Sequence, residues 1–315
     1  MRILFTGASS FTGYWFVKAL VMAGHAVTTI FRKPPGTYTD TRAERVNQVV
    51  AMSEALEVCS FGDDRFLELI RGGSWDLLCH HAADVTNYKS NDFDSVAALA
   101  NNTRNLEAVL DALCREGCQN VLLTGSVFEQ REGTAPDMAV AFSPYGLSKG
   151  LTYDMFQYYT QRRGMHLAKF VIPNPFGPYE EQRFTSFLVK SWLRGEHPRC
   201  DSPNYVRDNI HVSLLAKAYC RFAEETVAKI APNKLGPCGY PESQGAFTQR
   251  FAREMEKRLG VPCPVDLVED HLFPEPRVRI NTDVIDKTEL EWNESAAWDE
   301  LATYYHAAYK TKPSN

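Results

Sequence analysis

The chain has 315 residues, 44% of them apolar and 23% charged, with a formal net charge of −5. That size allows one large two-lobed unit or two modest domains with a sizeable core. It offers no long basic run for a nucleic acid and no apolar run of about 18 residues for a membrane span, so neither is an expected partner.

Arg2–Thr6 is a short apolar run that reads as a buried strand. It ends in Gly7-Ala8-Ser9-Ser10-Phe11-Thr12-Gly13, and a helical pattern runs from Tyr14 to Ala23 before Gly24. Strand, glycine-containing turn and helix is the context in which such a loop holds a pyrophosphate. Glycine lets the backbone approach, and the helix N-terminus favours the anion. The opening apolar run is too short for a signal-peptide core, so a cytoplasmic location is expected. The next strand, His25–Phe31, ends in Arg32-Lys33-Pro34. A site for NAD presents an Asp or Glu there, for the ribose 2′-hydroxyl. Two cations stand there instead, and arginine suits a 2′-phosphate. NADP(H) is therefore expected, with NAD(H) as the alternative.

Further strands read at Glu57–Phe61, Asp76–His80, Val121–Thr124 and Leu167–Ile172. They are followed by Gly62-Asp63-Asp64, His81-Ala82-Ala83, Gly125-Ser126 and Pro173-Asn174. One long helix is predicted over about 93–116. Another begins at Ser143-Pro144, runs to about Arg163, and carries Tyr145 and Lys149. Residues four apart share a helix face. An ammonium there favours phenolate and lowers the tyrosine pKa from its reference of about 10, which fits Tyr145 for proton exchange with a carbonyl or alcohol oxygen. The alternation of strands and helices implies an α/β, Rossmann-type doubly wound parallel sheet. Ligands of such sheets bind beyond the C-terminal strand ends, where Gly7, Arg32, Asp63, Ala82, Thr124 and Asn174 all stand.

The eight cysteines form no Cys-x-x-Cys pair and read as reduced packing residues. His80-His81 lacks metal-ligand spacing, so no metal site is expected. After Pro173 the alternation weakens. Residues 1–173 and 204–232 read as an NAD(P)-binding domain, and 174–203 with 233–315 as a smaller C-terminal substrate-binding lobe. Helices are predicted near 184–194, 212–225, 247–259 and 296–309. The aromatic stripe of the last (Trp298, Tyr304, Tyr305, Tyr309) reads as packing.

Taken in order, these motifs resemble the extended short-chain dehydrogenase/reductases, in the nucleotide-sugar epimerase/dehydratase/reductase branch. Thr6 to Gly13 is similar to that family's Thr-Gly-x-x-Gly-x-x-Gly loop, with Ser10 in place of the middle glycine. Asp63, with Asp64 beside it, matches the adenine-binding Asp. His80-His81-Ala82-Ala83 matches the His-x-Ala-Ala segment, and Asn102 the helix Asn. The resemblance implies that Gly7, Ser9, Ser10, Phe11, Thr12, Gly13, His81, Ala82, Ala83, Asn102 and Pro173 border the cofactor. Tyr145 and Lys149 match the catalytic pair, which also touches the cofactor. Asn174-Pro175-Phe176-Gly177-Pro178 resembles the Asn-Val-Tyr-Gly-Pro segment, whose Asn touches substrate. Arg207 to Val212 resembles Arg-Asp-Phe-Ile-His-Val. Arg279, with Asp283, Lys287 and Leu290-Glu291-Trp292, resembles the C-terminal pattern. Arg207 and Arg279 are thereby the expected grips on a nucleotide diphosphate. For the catalytic hydroxyl, reading Val127-Phe128-Glu129 as the family's Val-Tyr-Gly points to Thr124, which is preferred. Ungapped counting from Gly117 points to Ser126, the rival.

The family's dehydratases carry an Asp-Glu pair after the catalytic Thr, where this chain has Gly125 and Ser126. Its 3,5-epimerase/reductases use a nearby Cys, which this segment lacks. What the resemblance then implies is an NADP-dependent reductase of a 4-keto nucleotide sugar. The alternatives are an NAD-retaining 4-epimerase and a non-catalytic NADP-binding regulator, against which the intact Tyr145/Lys149 pair counts. Arg207 and Arg279 count against a reductase of non-sugar carbonyls. The family also implies a homodimer through the helices at 93–116 and 145–163, with Phe156, Tyr158 and Tyr159 as apolar surface.

Overall fold

Ile3, Leu4 and Phe5 of strand β1 (Arg2–Thr6) have no exposed surface, because β1 is an inner strand of a sheet covered on both faces. In the computed structural model, residues 1–134, 140–230, 232–268 and 275–309 are described. The remaining strands are β2 (Ala26–Phe31), β3 (Glu54–Glu57), β4 (Leu77–His80), β5 (Asn120–Ser126), β6 (His166–Ile172), β7 (Asn174–Phe176), β8 (Arg199–Cys200), β9 (Val206–His211), β10 (Lys234–Leu235), β11 (Pro237–Cys238), β12 (Tyr240–Ser243), β13 (Asp266–Leu267), β14 (Val278–Arg279) and β15 (Asp283–Val284). The helices are α1 (Phe11–Met22), α2 (Asp40–Met52), α3 (Asp64–Arg71), α4 (Ser95–Asn102), α5 (Leu106–Arg115), α6 (Pro144–Gln161), α7 (Phe184–Leu193), α8 (Val212–Val227), α9 (Gln244–Leu259) and α10 (Glu294–Tyr309).

The main sheet has seven parallel strands in the order β10-β6-β5-β4-β1-β2-β3, as the alternating pattern predicts for a Rossmann-type fold. The strand order reverses between β1 and β4, which opens a crevice at their C-terminal ends. Alternate residues face opposite sides. Phe5, Cys79, Leu122 and Phe170 pack with α1 and α8, where Phe16 stacks on Tyr219 at 3.9 Å between ring centroids. Leu4, Leu78, Val121 and Leu123 pack with α3, α5 and α6. A second sheet, β12-β9-β14 with β7 on β9, carries the smaller lobe. The core of that lobe is Phe176, Phe247, Phe251, Trp298 and Tyr305. The short pairs β11–β15 and β13–β8 complete it.

Four expectations need correction. The third strand is β3, earlier than 57–61. Val58, at φ 52°, turns the chain out of it, and Cys59 N then donates to Phe31 O at 2.9 Å. The helix predicted over 93–116 is broken into α4 and α5 by Asn105 in the left-handed region (φ 51°), whose Nδ2 donates to Gly62 O at 2.7 Å. Gly62 itself has φ +73°, and a Cβ there would overlap the Arg104 carbonyl oxygen. Sheet membership does not follow the divisions expected at 204 and 232, since β9 lies in the second sheet and β10 edges the first. Phe156, expected on the surface, is fully buried among Phe61 and His80.

Candidate active site

A cavity of about 700 Å³ opens at the crevice, within the range of small-molecule sites. Its floor is the loop after β1. Gly7 has φ +85°, and a Cβ on it would lie 2.7 Å from Ala82 N, so glycine permits the approach of two strand ends. Ser10, standing where the family has glycine, caps α1: its Oγ donates to Gly7 O at 2.9 Å and accepts from Gly13 N at 3.1 Å. Gly13 does not line the cavity but lets the helix close on this loop, since a Cβ there would clash with Gly7 O. The first turn of α1 carries no acidic residue, and no carboxylate ends β2. The loop and helix N-terminus thus fit an anionic pyrophosphate.

Arg32, Tyr38, Arg42 and Ser9 also line the cavity. Arg42 Nη2 donates to Ser9 Oγ at 2.8 Å and its guanidinium lies over the Tyr38 ring. Lys33 is exposed and outside the cavity. Neither Asp63 nor Asp64 lines it. Asp63 caps α3, with Oδ1 accepting from Phe66 N (2.8 Å) and Oδ2 from Ser60 N (2.7 Å), so both oxygens are engaged by their own turn. Ser60 and Phe61 border the cavity instead.

The loop after β4 supplies His81, Ala82 and Ala83. Asn102 fixes it, accepting from Asp84 N at 2.9 Å and donating to Thr152 Oγ1 on α6 at 3.3 Å. Pro173 and Asn174 border the cavity after β6. Among the described residues, His25, Cys220 and Glu224 bring possible metal-ligand atoms within 4.8 Å of one another. None of these three borders the cavity, and His25 Nε2 lies 2.9 Å from Glu224 Oε1.

Tyr145 and Lys149 project from the first turns of α6, which Ser143 caps and Pro144 starts. Both line the cavity, as do Thr124 and Ser126. Lys149 is buried and donates to the Thr124 carbonyl oxygen. Burial pushes its pKa down to about 8, with Glu129 opposing. Tyr145 packs edge-on against Tyr88 and Phe93, at 5.4 and 5.9 Å between centroids. Its phenol pKa is raised, by burial first and by Glu129 and Tyr88 next. The expected lowering by Lys149 is not seen: its ammonium is turned to a carbonyl, and Arg183 alone opposes the rise.

Sequence reasoning missed the charge cluster beneath. Glu129 Oε1 accepts from Ser126 N at 2.7 Å, and Oε2 lies 2.6 Å from Lys169 Nζ, which is also 2.6 Å from Glu132. Lys169 and Glu129 are almost fully buried. Gly125 makes room, since a Cβ there would meet Lys169 Cε at 2.6 Å. The available signal was a lysine inside the apolar run Leu167–Ile172. Arg45 was missed as well. It is fully buried and donates to Ser9 O (3.3 Å), Tyr179 O (2.7 Å) and Glu181 Oε1 (2.5 Å), joining the cofactor loop to the segment after β7.

Neither Arg207 nor Arg279 lines the cavity. The Arg207 fork is filled by Glu275 at 2.9 Å and by the carbonyls of Pro276 and Arg277 at 3.1 Å. Arg279 lies between Phe128 and Phe142, 4.0 and 4.4 Å from their centroids, one ring behind the wall that Phe128 forms. Its Nε and Nη1 are buried without hydrogen-bond partners, and burial beside Arg207 lowers its pKa to about 10. Among the described residues no helix is long and apolar enough to cross a membrane.

Residues 3–235 match the NAD dependent epimerase/dehydratase family. Cinnamoyl-CoA reductase 1 of Oryza sativa subsp. japonica is 26% identical over 243 residues, 71% of this chain and 68% of that protein. UDP-glucuronic acid 4-epimerase from Bacillus cereus, solved with UDP-glucuronic acid and NAD, superposes with a TM-score of 0.73 at 17% identity, covering 98% of this chain and 100% of that one. UDP-glucose 4-epimerase from Thermotoga maritima, solved with UDP-glucose, gives 0.71 at 17% identity, covering 98% and 99%. With a dinucleotide loop, a Tyr145/Lys149 pair and a family match over most of its length, the chain belongs to the NAD dependent epimerase/dehydratase family, within the extended short-chain dehydrogenase/reductases.

Proposed function

We propose that the chain is an NADP-dependent oxidoreductase acting on a nucleotide-diphosphate sugar, reducing a 4-keto sugar with Tyr145 as general acid. The observation that carries this is the pair of arginines in the cavity lining. Arg32 and Arg42 border the same cavity as Tyr145 and Lys149, and no carboxylate ends β2 to meet a ribose 2′-hydroxyl. When bound, the dinucleotide supplies the hydride. Tyr145, its pKa raised by burial, keeps its proton until a keto oxygen gaining negative charge takes it. Lys149 holds a positive charge beside it below about pH 8. The rings of Tyr88 and Phe93 pack edge-on against the Tyr145 ring and hold it in place.

The UDP-sugars named with the solved relatives support a nucleotide-sugar substrate. Arg279, whose Nε and Nη1 lack hydrogen-bond partners, is buried behind Phe128 and outside the cavity, so it adds no support for a grip on the diphosphate. The relatives named as 4-epimerases favour a second reading, an NAD-retaining 4-epimerase. The cell compartment of this reading is the cytoplasm. Pairing of two copies through α4, α5 and α6 is part of it too, with Tyr158, 55% exposed, on the contact face.

The test is cofactor status. The purified protein is denatured in part and its released nucleotide identified, while the remainder is titrated with NADPH and NADH. Exchangeable NADPH, preferred by at least ~10-fold (about 1.4 kcal/mol) and losing that preference in Arg32→Ala, is the expected result. Retained NAD with no preference for NADPH overturns the reductase in favour of the 4-epimerase.

A further inference from the structure

A thiol, an imidazole and a carboxylate meet at the end of the main sheet opposite the crevice. His25 immediately precedes β2. Cys220 and Glu224 stand four apart on α8, so their side chains leave one face of the helix a turn apart. Each of the three offers one ligand atom within 4.8 Å of the other two, and the His25–Glu224 edge is tighter, at 2.9 Å. Ligands around one tetrahedral Zn²⁺, bonded at 2.0–2.3 Å, sit about 3.5 Å apart. Small side-chain rotations cover the difference.

The surroundings fit a cation. Cys220 is buried, and its thiol makes no hydrogen bond among the described residues. The His25 side chain is 11% exposed and that of Glu224 42%, so two ligands are rooted in the fold and the third faces water. That open side leaves room for a water as fourth ligand. The two cations on this part of α8 are turned elsewhere: Lys217 donates to Leu290 O at 2.9 Å, and Arg221 to Glu225 at 2.6 Å and Glu289 at 2.7 Å. His25 Nδ1 faces the Met1 nitrogen at 3.4 Å, a polar neighbour of the kind that orients a ligating imidazole. Thiolate and carboxylate together carry two negative charges, which a divalent cation cancels. Without one, burial and then Glu224 push the thiol up to about 12, so the metal has to displace its proton, as metals bound by cysteine do. Sulfur and imidazole nitrogen beside a single carboxylate suit Zn²⁺, whereas Mg²⁺ and Ca²⁺ take oxygen ligands.

We propose that His25, Cys220 and Glu224 form a binding site for Zn²⁺ or another borderline-soft divalent cation, which ties the start of β2 to α8 across 199 residues of sequence. No local spacing announces such a site, because its ligands come from the two ends of the cofactor half. It lies outside the crevice and does not depend on the reaction proposed there.

The test uses the full chain, stripped with a chelator and titrated with Co²⁺ as a spectroscopic stand-in for Zn²⁺. The expected result is a near-ultraviolet thiolate-to-cobalt band that saturates at about one Co²⁺ per chain. Cys220→Ser and His25→Gln should lose the band, and Cys114→Ser should keep it. No band, or a band that survives Cys220→Ser, overturns the proposal and leaves His25 and Glu224 as a plain hydrogen-bonded pair. Because a buried serine can disturb folding, Glu224→Gln, at the exposed ligand, gives a second measurement. Zn²⁺ at a hundredfold excess over its Kd should raise the Tm of the stripped wild type by about 4 °C. Glu224→Gln should bind Zn²⁺ at least ~10-fold more weakly and rise by no more than about 2 °C at the same concentration. An equal rise in the two proteins overturns the proposal.

Discussion

Glu180 offers a test of the smaller lobe that needs no substrate. Its side chain is 95% removed from solvent, at 5% exposure. Oε1 accepts from the Thr185 and Tyr305 hydroxyls, and Oε2 is buried without a partner. Burial raises the pKa from 4.5 to about 7, against the lowering effect of the two hydroxyls. The folded state therefore binds this proton more tightly than the unfolded chain. Stability from this group is complete below about pH 4.5 and is lost as pH rises toward 7. Above pH 7 the ionised carboxylate costs the fold about 3 kcal/mol. Glu180→Gln keeps Oε1 as acceptor and cannot ionise, but it buries an amide N–H₂ where Oε2 was, at a cost of about 1 kcal/mol. The variant should match the wild type within about 1 kcal/mol at pH 5. At pH 8.5 it should be the more stable by about 2 kcal/mol, a rise of about 4 °C in Tm. Melting curves at the two pH values measure this. A variant–wild-type difference that stays the same from pH 5 to 8.5 refutes the reasoning.

Glu129→Gln removes the carboxylate that opposes the desolvation of Lys149. The alkaline limb of NADPH oxidation should move down by about one pH unit; an unmoved limb rules Glu129 out as support for the ammonium. For the assembly, light scattering at micromolar concentration should give the mass of two chains, and a value near the 35.6 kDa of one chain discards the dimer.

The cofactor half was largely legible because its signals are local. A buried strand, a loop with glycine at both ends and a largely apolar helix declare themselves in consecutive residues, and Tyr145 and Lys149 share a face by helical spacing alone. What escaped depended on how one polar residue is used. An Asp after a glycine at a helix start reads the same whether it binds adenine or caps the helix. Asp63 caps, and the chain's return at Val58 brings Ser60 and Phe61 to the cavity instead. Asn105 looks like an ordinary helix residue until Gly62 O is seen as its partner. Arg207 carries a motif, yet its fork is spent on Glu275 and two carbonyls supplied from about seventy residues away. Lys169 was hidden by apolar neighbours, although a lysine in such a strand needs buried carboxylates to exist.

The Arg45 strut also bears on how freely the two halves of the chain can be exchanged. Its donors reach Ser9 in the dinucleotide loop and Tyr179, 134 residues beyond Arg45, from a side chain with no exposed surface. A chimera that takes a foreign substrate lobe from Asn174 onward replaces the carbonyl and carboxylate that satisfy this guanidinium, and strands a charge inside the cofactor half. Tyr179 and Glu181 serve the cofactor half, while β7 pairs with β9 and Phe176 fills the core of the smaller lobe, so a seam anywhere from Asn174 to Glu181 breaks one set of contacts or the other.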